Sequence, residues 1–202
     1  TTVLSFRVRE MRRGSFYNGY TYVDTMNREA TDRFLQVTHE RYREKCGHRL
    51  GRSIKGIFTD EPHRGTLMST FGKYAENGDW AVPFTPRLFE EFHNAFGDSL
   101  EDRLPELFLR PGGKKASRVK WQFVELLQRL FLGNYAIPYQ AWCREHGIAA
   151  TGHILHEDSL SAQVAMSGSV MRYYEHLDIP GIDVLSEGNR NYWIVKQLAS
   201  AA

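Results

Sequence analysis

Two hydrophobic periods alternate along the chain. Short apolar runs rich in β-branched and aromatic residues read as strands, and stretches with apolar positions three and four apart read as helices. Residues 3–9 set Val3, Phe6 and Val8 among polar neighbours and predict a strand. A loop over 11–18 leads to a short extended piece, Tyr20-Thr21-Tyr22-Val23, ending on Asp24. Asn27 suits an N-cap, and Ala30, Phe34, Val37 and Tyr42 give the following helix a core face until Gly47 stops it. Ile54, Ile57 and Phe58 predict a buried strand over 54–59 that runs out into Asp60-Glu61-Pro62. Pro62 cannot donate to a sheet ladder and steers Glu61 toward extended backbone. Residues 63–85 show no period, as expected of a functional loop or a disordered one. Thr85-Pro86 opens a helix with Leu88, Phe89, Phe92 and Phe96 inward and Gly97 at its end. A short helix over 98–109 and a surface turn over 110–115 follow. Ser117 caps a long helix running to His146 on a stripe of Trp121, Val124, Leu127, Leu130 and Phe131, with a kink expected at Gly133 and Pro138. Residues 148–154 form the next strand and lead into Leu155-His156-Glu157-Asp158. A helix over about 165–177, a turn at Ile179-Pro180-Gly181, a strand over 182–185 and a helix over 191–202 complete the pattern.

Apolar strands that alternate with helices imply parallel strands covered on the outside by helices. At most four such strands are legible, whereas a closed (β/α) barrel takes eight strands and about 250 residues. The expected fold is therefore α/β: a partial (β/α)8 TIM-type barrel, residues 1–202 forming one partial catalytic domain of a larger enzyme. An open half barrel exposes strand edges and apolar helix faces, so association is expected of it.

Composition narrows the functional classes. The 202 residues carry a formal net charge of +2, from 26 basic against 24 acidic residues, which gives no extended nucleic-acid footprint. Arg7, Arg9, Arg12 and Arg13 read as a solvated strand face and loop. Cys46 and Cys143 lack metal-ligand spacing and leave the redox compartment open. No apolar stretch reaches the ~20 residues of a membrane span, and the first residues do not read as a signal peptide. The cellular compartment is not indicated.

Three strand ends carry acids: Asp60-Glu61, then His153 with His156-Glu157-Asp158, then Asp183 with Ser186-Glu187. In a parallel barrel these ends share one face, where active sites sit. Two carboxylates across a bond are what glycoside hydrolysis requires: one protonates the departing oxygen, and the other attacks the anomeric carbon or activates water. Glu61 with Glu157 is the best pair. Duller roles remain open, with Glu157 or Asp24 as helix caps and His153 or His156 as core histidines. Asp60, Glu61, His63, His153, His156 and Asp158 could also assemble a metal site, although no HExxH spacing is present. No nucleotide, serine-hydrolase or haem motif occurs, so the sequence requires no cofactor. Phe16, Tyr17, Tyr20, Tyr22, Trp80 and Trp193 fall in or beside loops, where rings stack on the apolar faces of sugars. Tyr17, its neighbour Asn18, and Trp193 are taken as substrate-binding candidates.

In order, several short motifs look like the catalytic barrel of large bacterial glycoside hydrolases similar to the family 106 α-L-rhamnosidases. They are Tyr22-Val23-Asp24-Thr25-Met26-Asn27-Arg28-Glu29-Ala30, Thr38-His39-Glu40-Arg41-Tyr42, Ile54 through Pro62, Thr151-Gly152-His153 with Glu157, and Ile179-Pro180-Gly181-Ile182-Asp183. The resemblance implies a TIM-type barrel within a longer multidomain enzyme acting on plant or microbial polysaccharide. It implies an inverting pair, Glu61 and Glu157, and a calcium ion near the sugar. Asp60, His153 and Asp183 would contact sugar hydroxyls or hold the glutamates. The partners expected are an oligosaccharide or polysaccharide, the remaining barrel strands and accessory domains, with no nucleic acid and no membrane span. Asp-Glu-Pro also looks like the strand end of retaining β-galactosidase-like enzymes, whose nucleophile would lie beyond Ala202. A non-catalytic carbohydrate-binding barrel is the alternative from another class.

Overall fold

The computed structural model describes residues 3–65, 81–109, 111–113, 117–185 and 191–202. The expected features at Trp80, across most of the 63–85 loop, at Lys114 and Lys115, and at Ser186 and Glu187 lie outside these residues. The fold is mixed α/β. Helices α1 (Arg28–Val37) and α2 (His39–Cys46) precede strand β1 (Gly56–Thr59). Helices α3 (Leu88–Phe96), α4 (Leu100–Phe108), α5 (Arg118–Phe131) and α6 (Ile137–Glu145) separate it from β2 (Ala149–Gly152). Then come α7 (Leu160–Met166), α8 (Val170–Tyr174), the short β3 (Ile179–Pro180) and α9 (Tyr192–Ala201).

The three strands pair in parallel in the order β1-β2-β3. Thr59 lies opposite Gly152, and Thr151 opposite Ile179. All three strand ends therefore leave the sheet on one side. A closed barrel is not formed by the described residues. Among the described residues three strands stand where four were expected: residues 3–9 and 182–185 form none, and Ile179–Pro180, expected as a turn, pairs with Thr151 and Gly152. Val3 and Val8 are exposed, and Phe6 rests on Phe108 with ring centroids 5.4 Å apart. Past β3, the Asp183 N–H goes to the Glu157 carboxylate.

The caps follow local chemistry. Asn27 accepts from Glu29 N at the start of α1, and Ser117 accepts from Lys120 N at the start of α5. Ser99 does the same for α4. Thr85 does not cap α3, and its hydroxyl donates to Asp24 Oδ2 at 2.7 Å. The first helical stretch breaks at Thr38, and its buried face is Thr31, Leu35 and His39, while Val37 and Tyr42 are exposed. The expected kink between α5 and α6 is a π-helical turn, Leu132–Ala136.

That turn sits beneath the sheet. Phe131, Tyr135 and Tyr139 form a ladder of stacked rings with centroids 5.7 and 6.2 Å apart. Tyr135 Oη is hydrogen-bonded to Thr59 Oγ1 at 2.7 Å. Tyr139 Oη lies 2.5 Å from Ile57 O and 3.1 Å from Thr151 O, so its one proton is shared between β1 and β2. Around the ladder, Phe92, Leu107, Phe123, Leu127 and Tyr173 are fully buried. His39 is buried with them, edge-on to Tyr139 and Trp142 at 5.7 and 5.0 Å.

Two stability predictions follow from this packing. A Cβ on Gly152, whose φ is 146°, would lie 2.1 Å from Thr59 O and 2.8 Å from Thr59 Cγ2. Gly152→Ala must therefore force β1 from β2, and urea unfolding should show a loss of about 3 kcal/mol or more. Burial pulls the His39 pKa from 6.5 down to about 4 and does the same to His63. Between those values the unfolded chain binds more protons, so their contribution is complete above pH 6.5 and is lost as pH falls toward 4. His39→Leu should flatten the acid limb of Tm against pH and leave the share due to His63.

Candidate functional site

β1 and β2 deliver their following residues to one end of the sheet. Asp60 is exposed, and its Oδ1 lies 3.0 Å from Nε2 of the buried His153. Glu61 departs from the extended backbone expected before proline: its φ is 47°. Pro62 disfavours the right-handed helical region for its predecessor but leaves this one open, and here the chain turns within it. Asn18 (φ 53°) and His156 (φ 61°) are also left-handed. Among the described residues these three are the non-glycine positions with positive φ, and all three lie on loops proposed for the site. Strain of this kind, about 1–3 kcal/mol per residue, collects at functional sites.

Glu157 is 5 % exposed. Its Oε2 accepts from Asp183 N at 2.9 Å and its Oε1 from Ile154 N at 3.4 Å. Burial raises its pKa above the ordinary carboxyl value, against the pull of the two N–H groups and of His153. It does not cap α7, because Ser159 Oγ accepts from Ala162 N there. Glu157 is thus a buried carboxyl held by backbone from two strand-end segments.

Glu61, His153 and Asp183 bring one ligand-type atom each within 4.8 Å of one another. Since the Asp183 backbone also holds Glu157, both candidate glutamates meet the same group of residues. Of the residues that the sequence offered for a metal site, Glu61 and His153 lie in this cluster, and Asp183 joins them. The two carboxylates are calcium-type donors, but calcium takes about six to eight oxygens and seldom an imidazole. The three groups suit a smaller dication of the zinc or manganese kind better than calcium.

An aromatic wall adjoins the acids. The Tyr22 ring stacks on His63 at 4.2 Å and 8°, and Tyr17 leans on Tyr22 at 5.6 Å. Tyr22 also lies close enough to Glu61 for their charges to interact. His63 Nδ1 accepts from Gly65 N, which fixes the neutral ring's proton on Nε2. Trp193 donates from Nε1 to Asp158 O at 3.0 Å, beside Glu157. Asn18 closes an exposed turn, donating from its backbone N to Ser15 O, and among the described residues no side-chain bond brings it to the acids.

Phe58 was expected in the core. It is 57 % exposed, with its ring 5.5 Å from His153. Both faces of a covered parallel strand read as apolar, so the sequence pattern could not distinguish the face carrying Phe58.

No protein-family model matches the chain, and no curated protein matches it in sequence. In three dimensions it is similar to a rhamnosidase from Novosphingobium sp. PP1Y. The TM-score is 0.64 and the sequence identity 19%. The match covers 91% of this chain and 16% of the rhamnosidase. At that identity the likeness is one of fold. What the two chains share over this region is an α/β fold.

Proposed function

We propose that this chain carries the catalytic face of a glycoside hydrolase of the α-L-rhamnosidase kind, with Glu61 and Glu157 as its working pair. The observation that carries the reading is the setting of Glu157. A carboxyl buried at a strand end, gripped by two backbone N–H groups and raised in proton affinity by burial, is suited to proton transfer. Glu61 reaches the same cluster from the neighbouring strand. Residues 1–202 would form part of a TIM-type barrel, completed by further strands and accessory domains of a longer protein. The fold likeness to a much longer rhamnosidase supports this arrangement.

In the reaction, one glutamate protonates the glycosidic oxygen as the C–O bond breaks. The other takes a proton from the water that attacks the anomeric carbon, or attacks that carbon itself. His153 and Asp183 lie within reach of Glu61 and would orient it or bind sugar hydroxyls, with Asp60 fixing the His153 ring. Tyr17, Tyr22 and His63 offer a stacked wall, and Phe58 a second ring, to the apolar face of a pyranose. Trp193 would border the site on the Glu157 side. The substrate class is an oligosaccharide or polysaccharide of plant or microbial origin.

Glu61→Gln and Glu157→Gln should each lower kcat on an α-L-rhamnoside by about 10²–10⁴ while circular dichroism stays native. Leaving groups then separate the roles. The variant rescued by an aryl glycoside with a good leaving group has lost the acid, and the one not rescued has lost the base or nucleophile. Full activity in either variant would remove the pair. Tyr22→Ala should raise KM about tenfold and leave kcat within about twofold, because it removes a stacking face and no reacting group.

A further inference from the structure

One nitrogen beside the site's acids has nothing to bond to. His153 is 7 % exposed, and its Nδ1 has no hydrogen-bond partner among the described residues. Its Nε2 lies 3.0 Å from Asp60 Oδ1. A carboxylate only accepts, so in the neutral ring the proton sits on Nε2 and Nδ1 keeps a lone pair. A buried lone pair without a donor is costly, and the ring cannot turn over without giving up Asp60.

The same ring shares a cluster with two carboxylates. Glu61, His153 and Asp183 each bring one ligand-type atom within 4.8 Å of the others, so donors from the segments after all three strands converge. Since Asp60 engages Nε2, the nitrogen His153 has left to give is Nδ1. Glu61 and Asp183 are half-buried, which opens the cluster to solvent on the carboxylate side and gives an ion its way in. Ligand atoms about 2.0–2.2 Å from a tetrahedral zinc stand roughly 3.4 Å from one another. Shifts of about an ångström by the two carboxylates would therefore close the set, with the fourth corner left for water. The Asp60–His153 pair supplies what a metal-bound imidazole ordinarily has behind it, a carboxylate on its other N–H. One imidazole beside two carboxylates is poor calcium chemistry, and affinity at such sites is higher for zinc than for manganese.

We propose that Glu61, Asp183 and Nδ1 of His153 bind a zinc ion, and that zinc bound there holds Glu61 and stops the proposed hydrolysis. A coordinated Glu61 oxygen is no longer free to take a proton or to attack carbon. The binding half stands on geometry alone, whereas the inhibition rests on the glycosidase reading. Such an ion differs in donor set and in effect from the calcium that the sequence resemblance implied.

The test is equilibrium dialysis of the metal-free protein against zinc, with and without excess calcium, and assay of an α-L-rhamnoside over the same zinc range. One zinc per chain is expected, undisplaced by calcium, with turnover falling in step with occupancy and returning on addition of a chelator. Cobalt(II) in place of zinc should give the visible absorption of a four-coordinate ion, a readout that needs neither activity nor a variant. His153→Gln should abolish binding. The Asp60 side chain is largely exposed, so Asp60→Asn should fold normally and weaken zinc about 10–100-fold by loosening the ring. No saturable zinc binding, displacement by calcium, or unchanged affinity in His153→Gln would overturn the site. Zinc bound without loss of turnover would overturn the inhibition. Zinc bound to a protein inactive even when metal-free would remove the glycosidase reading, and the inhibition with it, while supporting the site.

Discussion

The close approach of β1 to β2 at Thr59 and Gly152 is the contact on which the other arrangements rest. The space a Gly152 side chain would need is filled by the Thr59 carbonyl and methyl group, so the two strand ends meet backbone to backbone. From beneath, Tyr135 holds the Thr59 hydroxyl and Tyr139 bridges the carbonyls of Ile57 and Thr151. The tyrosines are spaced four residues apart across the π turn, so one continuous helical face carries both clamps. With the strand ends fixed in register, Asp60 and Glu61 leave β1 beside the point where His153 leaves β2. The pairing of Asp60 with His153 follows directly from that register.

The site then departs from regular geometry. Glu61 and His156 take left-handed backbone, and Asp183 turns its N–H away from any strand partner to Glu157. Each departure forgoes some local stability, and each turns a strand-end loop toward the same group of acids. The short third strand has the same origin. A chain that gives the Asp183 N–H to a buried carboxylate cannot also use it in a sheet ladder. Holding a buried carboxylate and extending a strand compete for the same backbone groups, and here the strand stops at Pro180.

What the sequence disclosed was local. Asn27 and Ser117 cap helices because a short polar side chain meets free N–H groups, and that chemistry needs only neighbours in the chain. The central runs of β1 and β2 were legible for the same reason, as were the acids that follow them. The failures are cases in which a distant partner decides. Val3, Phe6 and Val8 alternate like a strand, but the described residues offer them none to pair with. Val37 and Tyr42 have helical spacing, but the face that meets the core is Thr31, Leu35 and His39, four residues apart. Phe58 is apolar on a strand whose two faces both read as apolar.

The buried titratable groups pull stability in opposite directions. His39 and His63 have depressed pKa values, so their contribution is lost on acidification. Glu157 has a raised one, and the sign reverses. Its folded form holds a proton more tightly than the unfolded chain does, so its contribution is present at low pH and is lost as pH rises through the shifted value. The histidines therefore disfavour the acid side and Glu157 disfavours ionisation on the other. A carboxyl whose charged form is resisted by burial yet aided by two N–H groups has its protonated and ionised forms brought closer in energy. That balance lowers stability above the ordinary carboxyl range.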